Sequence, residues 1–203
     1  MNTKKTLALI GVALLAYAAV IVGASMFWAS RTHVDERPSA TLWAGDEKTH
    51  AYPTVLCNYQ MKDCDGNFLK VDPARITRFP VAIGQTLRLR LSDNVAEDPW
   101  SIVAQYVTPN GSELLLKDFL PKTGTQSLTL TSTRERVLIN VEISLPSALL
   151  SGDSDTDLVR RGYIAINTTP TGDKALLDTY EKSAAGKPPK QRAITDPADF
   201  NKP

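Results

Sequence analysis

Two cysteines, two histidines and one run of alternating aspartates are the side chains of this chain best suited to chemistry. Cys57 and Cys64 bracket the segment CNYQMKDC. Such a pair can serve as a structural disulfide, a metal site or a redox couple. A metal site wants further Cys or His close by, and only His50 is near in sequence. A redox couple usually carries C-x-x-C spacing, which this segment lacks. A structural disulfide is expected, and closing so short a loop stabilises by ~2.5 kcal/mol in the chain-entropy account. Asp153, Asp155 and Asp157 alternate in SGDSDTD, and carboxylates at alternate loop positions can converge on Ca²⁺. The EF-hand pattern fails, because Leu158 stands where Gly is required and Ile164 where the bidentate Glu belongs. The run reads as a solvated acidic loop ahead of a strand, and no metal or other cofactor is expected. His33 and His50 belong to no H-E-x-x-H, and the chain has no G-x-S-x-G elbow, Walker A loop or G-x-G-x-x-G. With both cysteines bonded and neither histidine in a motif, nucleophilic catalysis lacks a constellation. The chain reads as a non-enzyme.

The elements that carry these residues read as strands. Thr86 to Leu91 is TLRLRL, with Leu87, Leu89 and Leu91 on one face and two arginines on the other. This period of two marks a strand with one wet face. Ser127 to Leu130, Val137 to Leu145 and Tyr163 to Asn167 alternate in the same way, with Val137, Ile139, Val141, Ile143 and Leu145 expected on one side. Further strands are expected at Ala40 to Trp43, Thr54 to Asn58, Ser101 to Val107 and Glu113 to Leu116. Turn residues stand between the runs: Asp65-Gly66-Asn67, Ile83-Gly84-Gln85, Pro109-Asn110-Gly111 and Lys122-Thr123-Gly124. Asn110-Gly111 is the strongest hairpin, since both residues tolerate positive φ. Asp98-Pro99-Trp100 reads as an extended entry into a strand with Trp100 as a core anchor. Two glycosylation sequons, at Asn110 and Asn167, are short enough to arise by chance.

Ahead of this body, Thr6 to Ser30 contains no charge, no Pro, no Asn and no Gln. A helix of about 24 residues spans ~36 Å, enough for a ~30 Å hydrocarbon core with tilt. One membrane span is expected. Lys4 and Lys5 place the N-terminus in the cytoplasm; Arg31 and Arg37 beyond the span nearly balance them, and the very short leading segment decides. Phe27 and Trp28 fall where an outer aromatic belt lies; Ala19 and Gly23, with Ala16 nearby, form a small-residue face that permits helix packing, although Ala and Gly are common in any such span. A cleaved signal peptide is the competing reading, but its apolar region is roughly 7–15 residues, shorter than this one. A lipoprotein anchor lacks its cysteine. Either surviving reading puts the remaining chain outside the cytoplasm, where a disulfide persists.

The chain has 203 residues, a formal net charge of +1 and 42% hydrophobic residues. Those totals exclude a collagen, a disulfide-dense toxin and a wholly disordered chain. With Lys4 and Lys5 set aside, 21 basic residues face 22 acidic ones. That balance leaves no electrostatic footprint for nucleic acid or for an anionic membrane.

The expected organisation is a cytoplasmic N-terminus and anchor over residues 1–30, a linker over 31–39, and a domain over 40–170. A short helix near Asp173 to Lys182 and a flexible tail fill 171–203. The fold class is all-β, a single immunoglobulin-like antiparallel β-sandwich outside the membrane. After Gly186 the polar, proline-bearing sequence is expected to be disordered or to bind in an extended form.

The Cys57/Cys64 pair, Ile83-Gly84-Gln85-Thr86-Leu87-Arg88-Leu89 and Pro99-Trp100-Ser101-Ile102 with Tyr106 after it carry a resemblance. Over roughly 41–145 the chain resembles a family of small actinobacterial envelope proteins of unknown function. The resemblance implies an N-terminal anchor followed by one β-rich domain, and it brings no catalytic residue. In layout the chain is also similar to the single-span accessory subunits on the outer face of actinobacterial respiratory supercomplexes. The expected function is therefore a non-catalytic interaction or accessory subunit of a larger envelope assembly, with an integral membrane protein complex as partner. Binding of an envelope lipid, glycan or small ligand is the alternative.

Overall fold

The computed structural model describes Tyr17, Val20, Ile21 and residues 37–119, 126–150 and 158–201. Residues 37–203 form one compact unit and residues 1–36 another. Tyr17, Val20 and Ile21 are helical and exposed. Among the described residues no helix is long and apolar enough to cross a membrane. The expected span falls almost wholly outside them, as do Ala16, Ala19, Gly23, His33, the Asp153-Asp155-Asp157 run and the Lys122-Thr123-Gly124 turn.

Twelve strands are seen among the described residues, arranged in two sheets. The smaller sheet runs in the order β2 (Glu47–Ala51), β1 (Ala40–Ala44), β6 (Thr86–Leu91) and β9 (Ser127–Thr131), all antiparallel. The larger sheet runs β12 (Lys190–Ala193), β8 (Gly111–Phe119), β7 (Trp100–Thr108), β10 (Val137–Leu150), β11 (Leu158–Asn167), β3 (Val55–Cys57) and β4 (Cys64–Asp65). The two-residue β5 (Thr77–Arg78) pairs parallel with the end of β11.

The alternation read from TLRLRL is what closes the sandwich. Leu87, Leu89 and Leu91 are buried while Arg88 and Arg90 face outward. They join Leu42, Leu128 and Leu130 of the same sheet in one cluster with Ile102, Tyr106, Leu115, Val141, Ile143 and Ile166 of the other. A single cluster drawn from both sheets means each is apolar on one face and buries it against its partner. Trp100 is 2% exposed and stacks on Phe119, ring centroids 3.9 Å apart, at the rim of this core.

The β7–β8 hairpin forms where Asn110-Gly111 predicts it. Thr108 and Gly111 close the pair, and only Gly111 takes a positive φ, of 128°. Thr108 Oγ1 donates to the Gly111 carbonyl at 2.8 Å and accepts from the Asn110 N–H at 3.2 Å.

In β10 the structure departs from strict alternation. Its register against β7 slips between Leu138 and Asn140. The slip is a bulge, which turns the side chains before it onto the opposite face. Leu138, Val141, Ile143 and Leu145 enter the inter-sheet core, but Val137 and Ile139 do not. They lie on the outer face with Val107 and Ile83. There the helix α2 (Lys174–Ala184) covers them, burying Leu177 and half-burying Leu176 and Tyr180. The only other helix described in this unit, α1 (Asp93–Ala96), is a single turn. β10 also runs past Pro146 to Leu150, with a second slip at the proline, whose missing N–H interrupts the ladder.

Past Gly186 the chain is extended. β12 adds a parallel strand to the free edge of β8, with all four side chains exposed. The following 3₁₀ turn, Pro197–Asn201, drops Phe200 into the core at 0% exposure. Residues that look like a tail by composition therefore supply both an edge strand and a core side chain.

Candidate functional site

The cysteine segment folds as its spacing predicts. Cys57 and Cys64 are directly opposite on β3 and β4 and are bonded. The loop between them is organised by Asn58. Its Oδ1 accepts from the N–H groups of Gln60 and Lys62 at 3.1 and 3.0 Å, and its Nδ2 donates to Asp63 Oδ2 at 2.9 Å. Met61 sits at a φ of 60°, in the left-handed region. This turn holds Tyr59 outward from the β3 end, toward β11 and the entry to β7.

Tyr59 meets Arg161 and Asp98 there. The Tyr59 hydroxyl donates to Asp98 Oδ2, and the Arg161 guanidinium lies 4.1 Å over the Tyr59 ring. Arg161 Nη2 donates to the Tyr59 oxygen at 3.3 Å, and Nε donates to the Pro146 carbonyl at 3.1 Å. The carbonyl is offered where the proline breaks β10. Arg161 is 6% exposed and its guanidinium stands 4.0 Å from Asp98. Burial, then the hydrogen bond to Asp98, holds the Tyr59 phenol above its ordinary pKa, with Arg161 acting in the opposite sense. The phenol is thus held in place between a carboxylate and a guanidinium.

Gly162 makes this edge possible. A Cβ built there stands 2.5 Å from the Val55 carbonyl oxygen and 3.0 Å from Leu56 Cα. Only glycine lets β3 approach β11 so closely, and β3 carries the stapled loop. Beyond β4, Asn67 Oδ1 accepts from the Leu69 and Lys70 N–H groups at 2.8 and 3.2 Å. Phe68 lies against Tyr163, centroids 6.1 Å apart, and Leu69 is 98% exposed. Asp72 caps the 3₁₀ turn Pro73–Arg75, whose Arg75 returns to Asp65 at 2.7 Å. A hollow of about 350 Å³ between them is lined by Arg37, Tyr52, Asp65 and Arg75, among others.

A second feature lies near the β7–β8 hairpin. A cleft of about 780 Å³ is lined by the hairpin, the β9–β10 connection and the last turn, including Glu113, Arg136, Lys190 and Asn201. Arg136 Nε is 3.2 Å from Glu113 Oε2, and Arg192 Nε is 3.6 Å from its other oxygen. The Arg136 guanidinium lies 4.4 Å over the ring of Tyr106. Tyr106 is completely buried, its hydroxyl meets no protein partner among the described residues, and burial pushes its pKa up to about 12.

Of the residues that sequence reading marked out, the cysteines belong to the first feature. His50 lies on β2, exposed, with Nδ1 3.2 Å from Thr41 Oγ1, and joins neither feature. Among the described residues no three His, Cys, Asp or Glu gather where they could hold a metal ion. Sequence reading missed Tyr59, Asp98 and Arg161. Only Tyr59, a large aromatic inside a stapled eight-residue loop, carried a usable mark.

These features define a two-sheet β domain whose edge is stapled by one disulfide. The chain belongs to the family described as "Protein of unknown function (DUF2771)", which matches residues 33–164. That match takes in Tyr59, Asp98, Arg161 and the disulfide, while Lys190, Phe200 and Asn201 of the cleft lie beyond it. No curated protein and no solved structure matches the chain.

Proposed function

We propose that the chain is a non-catalytic, membrane-anchored interaction or accessory subunit of a larger cell-envelope assembly. Residues 6–30 serve as a single span, the N-terminus stays in the cytoplasm, and the β domain works on the outer side. The domain reads as immunoglobulin-like in kind. The partner is an integral membrane protein complex, and the outer face of an actinobacterial respiratory supercomplex is one concrete setting with the same layout. The observation that carries this reading is the stapled edge. A disulfide, a buried arginine and a side-chain-ordered turn hold exposed Tyr59 rigidly, so a partner meets a surface already ordered before contact. Rigid aromatic side chains on such surfaces are the usual anchors of protein recognition. Mild detergent extraction from native membranes tests it. The expected result is stoichiometric co-purification with envelope proteins, lost on Tyr59→Ala. A chain that runs alone at native abundance overturns it.

The cleft favours a second reading, binding of a small envelope ligand. Its volume lies within the range of about 300–1,000 Å³ common for ligand sites. Its lining mixes Arg136 and Lys190 with Glu113, Glu135 and the amides of Asn110 and Asn201, which suits a polar group such as a glycan. Native mass spectrometry of the purified chain should then show a retained mass that Asn201→Ala diminishes. An empty cleft argues against it.

A further inference from the structure

Among the described residues outside the N-terminal segment, six large hydrophobic side chains are exposed: Tyr52, Tyr59, Phe68, Leu69, Val71 and Leu149. Five of the six lie between residues 52 and 71, the stretch that contains the edge strands β3 and β4, and Phe68, Leu69 and Val71 fall in one short segment after β4. Clustering of this kind marks a contact surface, whereas scattered exposed apolar residues need no explanation. Leu69 is the extreme case at 98% exposure. It is not loose, because its own N–H is bound by Asn67 and its neighbour Phe68 rests on Tyr163.

The same edge receives the chain as it enters the domain. Arg37 lines the hollow with Asp65 and Arg75, and its charge helps lower the Asp65 pKa, after the larger effect of Arg75. Asp65 precedes the Gly66–Val71 segment directly. Seven peptide links separate Ser30, the last residue of the uncharged run, from Arg37, so they span at most about 25 Å. A domain tethered this briefly keeps its entry edge near the bilayer, at high effective concentration. Lys70 lies within the segment while exposed Asp65 and Asp72 flank it, so its apolar side chains and not a net charge would carry the attraction to lipid.

We infer that the Phe68-Leu69-Lys70-Val71 tip docks on the lipid surface of the membrane that residues 6–30 span, with Leu69 entering the acyl boundary. The inference rests on the anchored reading above. Docking fixes which edge of the domain faces lipid and sets Tyr59 at headgroup height, where a membrane-embedded partner is met. β12 forms the opposite edge of the larger sheet.

Spin labels on the full chain in phosphatidylglycerol–phosphatidylcholine vesicles test this. One is placed by Leu69→Cys and one by Gln191→Cys on β12, both attached without reductant so that Cys57–Cys64 stays bonded. Both positions are exposed, so the fold tolerates them. Power saturation compares collision with oxygen, which concentrates in lipid, against a water-soluble nickel chelate. The expected result is a several-fold preference for oxygen at position 69 and none at 191. Equal, aqueous behaviour at both overturns the inference. So does a label at 69 shielded from both reagents, which indicates a protein contact there. An alkaline carbonate wash separates the two levels. Release of the chain overturns the anchored reading and this inference with it, while retention with an aqueous label at 69 overturns the inference alone.

Discussion

Arg161 is buried by the sandwich edge but keeps three partners: the Pro146 carbonyl, the Tyr59 hydroxyl and, at 4.0 Å, Asp98. A buried cation without such partners is costly, so the three must be supplied together. Arg161→Met is expected to lower stability by about 2 kcal/mol, because Asp98 and Tyr59 lose a partner but remain partly solvated. Tyr59→Phe is expected to cost about 1 kcal/mol, since Arg161 still faces Asp98. Urea unfolding of both variants checks the order. Tyr106 provides a pH test. Its folded pKa of about 12 stands above the unfolded value near 10, so the folded state holds the phenolic proton more tightly. Stability is therefore unaffected by this group below pH 10 and falls as pH rises from 10 through 12, by about 3 kcal/mol in all. Tyr106→Phe should leave stability at pH 8 nearly unchanged, since the buried hydroxyl has no protein partner. It should flatten the loss between pH 10 and 12, and an unaltered alkaline slope would count against this account.

At the scale of elements, close packing of β3 on β11 decides whether the stapled edge exists. Gly162→Ala puts a methyl group 2.5 Å from the Val55 carbonyl oxygen, and both atoms belong to backbone that cannot rotate away. We expect a loss of about 3 kcal/mol and release of β3. Hydrogen exchange should quicken at Val55–Cys57 while β6 and β7 stay protected, and an unchanged β3 would refute it. The bulge in β10 acts at the same scale. It divides one apolar run between two faces, giving α2 something to cover. The run itself is visible in the sequence. The bulge is not, because Leu138-Ile139-Asn140 contains no glycine or proline to mark it. Strands β2, β4, β5 and β12 escape sequence reading for a related reason. Apart from buried Ala51, EKTHA and KQRA bury almost nothing, and they are strands because a neighbouring edge offers hydrogen bonds.

The two sheets share one core, from Leu42 in the smaller sheet to Ile166 in the larger and Phe200 in the last turn. Shared burial ties the two sheets into one cooperative unit. Urea unfolding followed by tryptophan fluorescence and by circular dichroism should give coincident single transitions for the β domain, and separate midpoints would break that account. Phe200→Ala is expected to cost about 3 kcal/mol, the price of an emptied aromatic core site. Residues composed like a tail would then prove as necessary to stability as a central strand.

By itself the sequence determined the β class, eight of the strands, the hairpin at Asn110-Gly111, Trp100 as a core anchor and the cysteine pairing. Each of these depends on interactions a few residues apart: alternation, turn preference and loop length. It also determined the uncharged run over residues 6–30, which composition alone reveals. Tertiary structure alone decided which strands became edges, where β10 bulges, and that Phe200 belongs to the core. It also brought Tyr59, Asp98 and Arg161 together across 39 and 102 residues of chain. No local pattern encodes such meetings, because the burial that makes a buried arginine seek those partners exists only once the two sheets have closed.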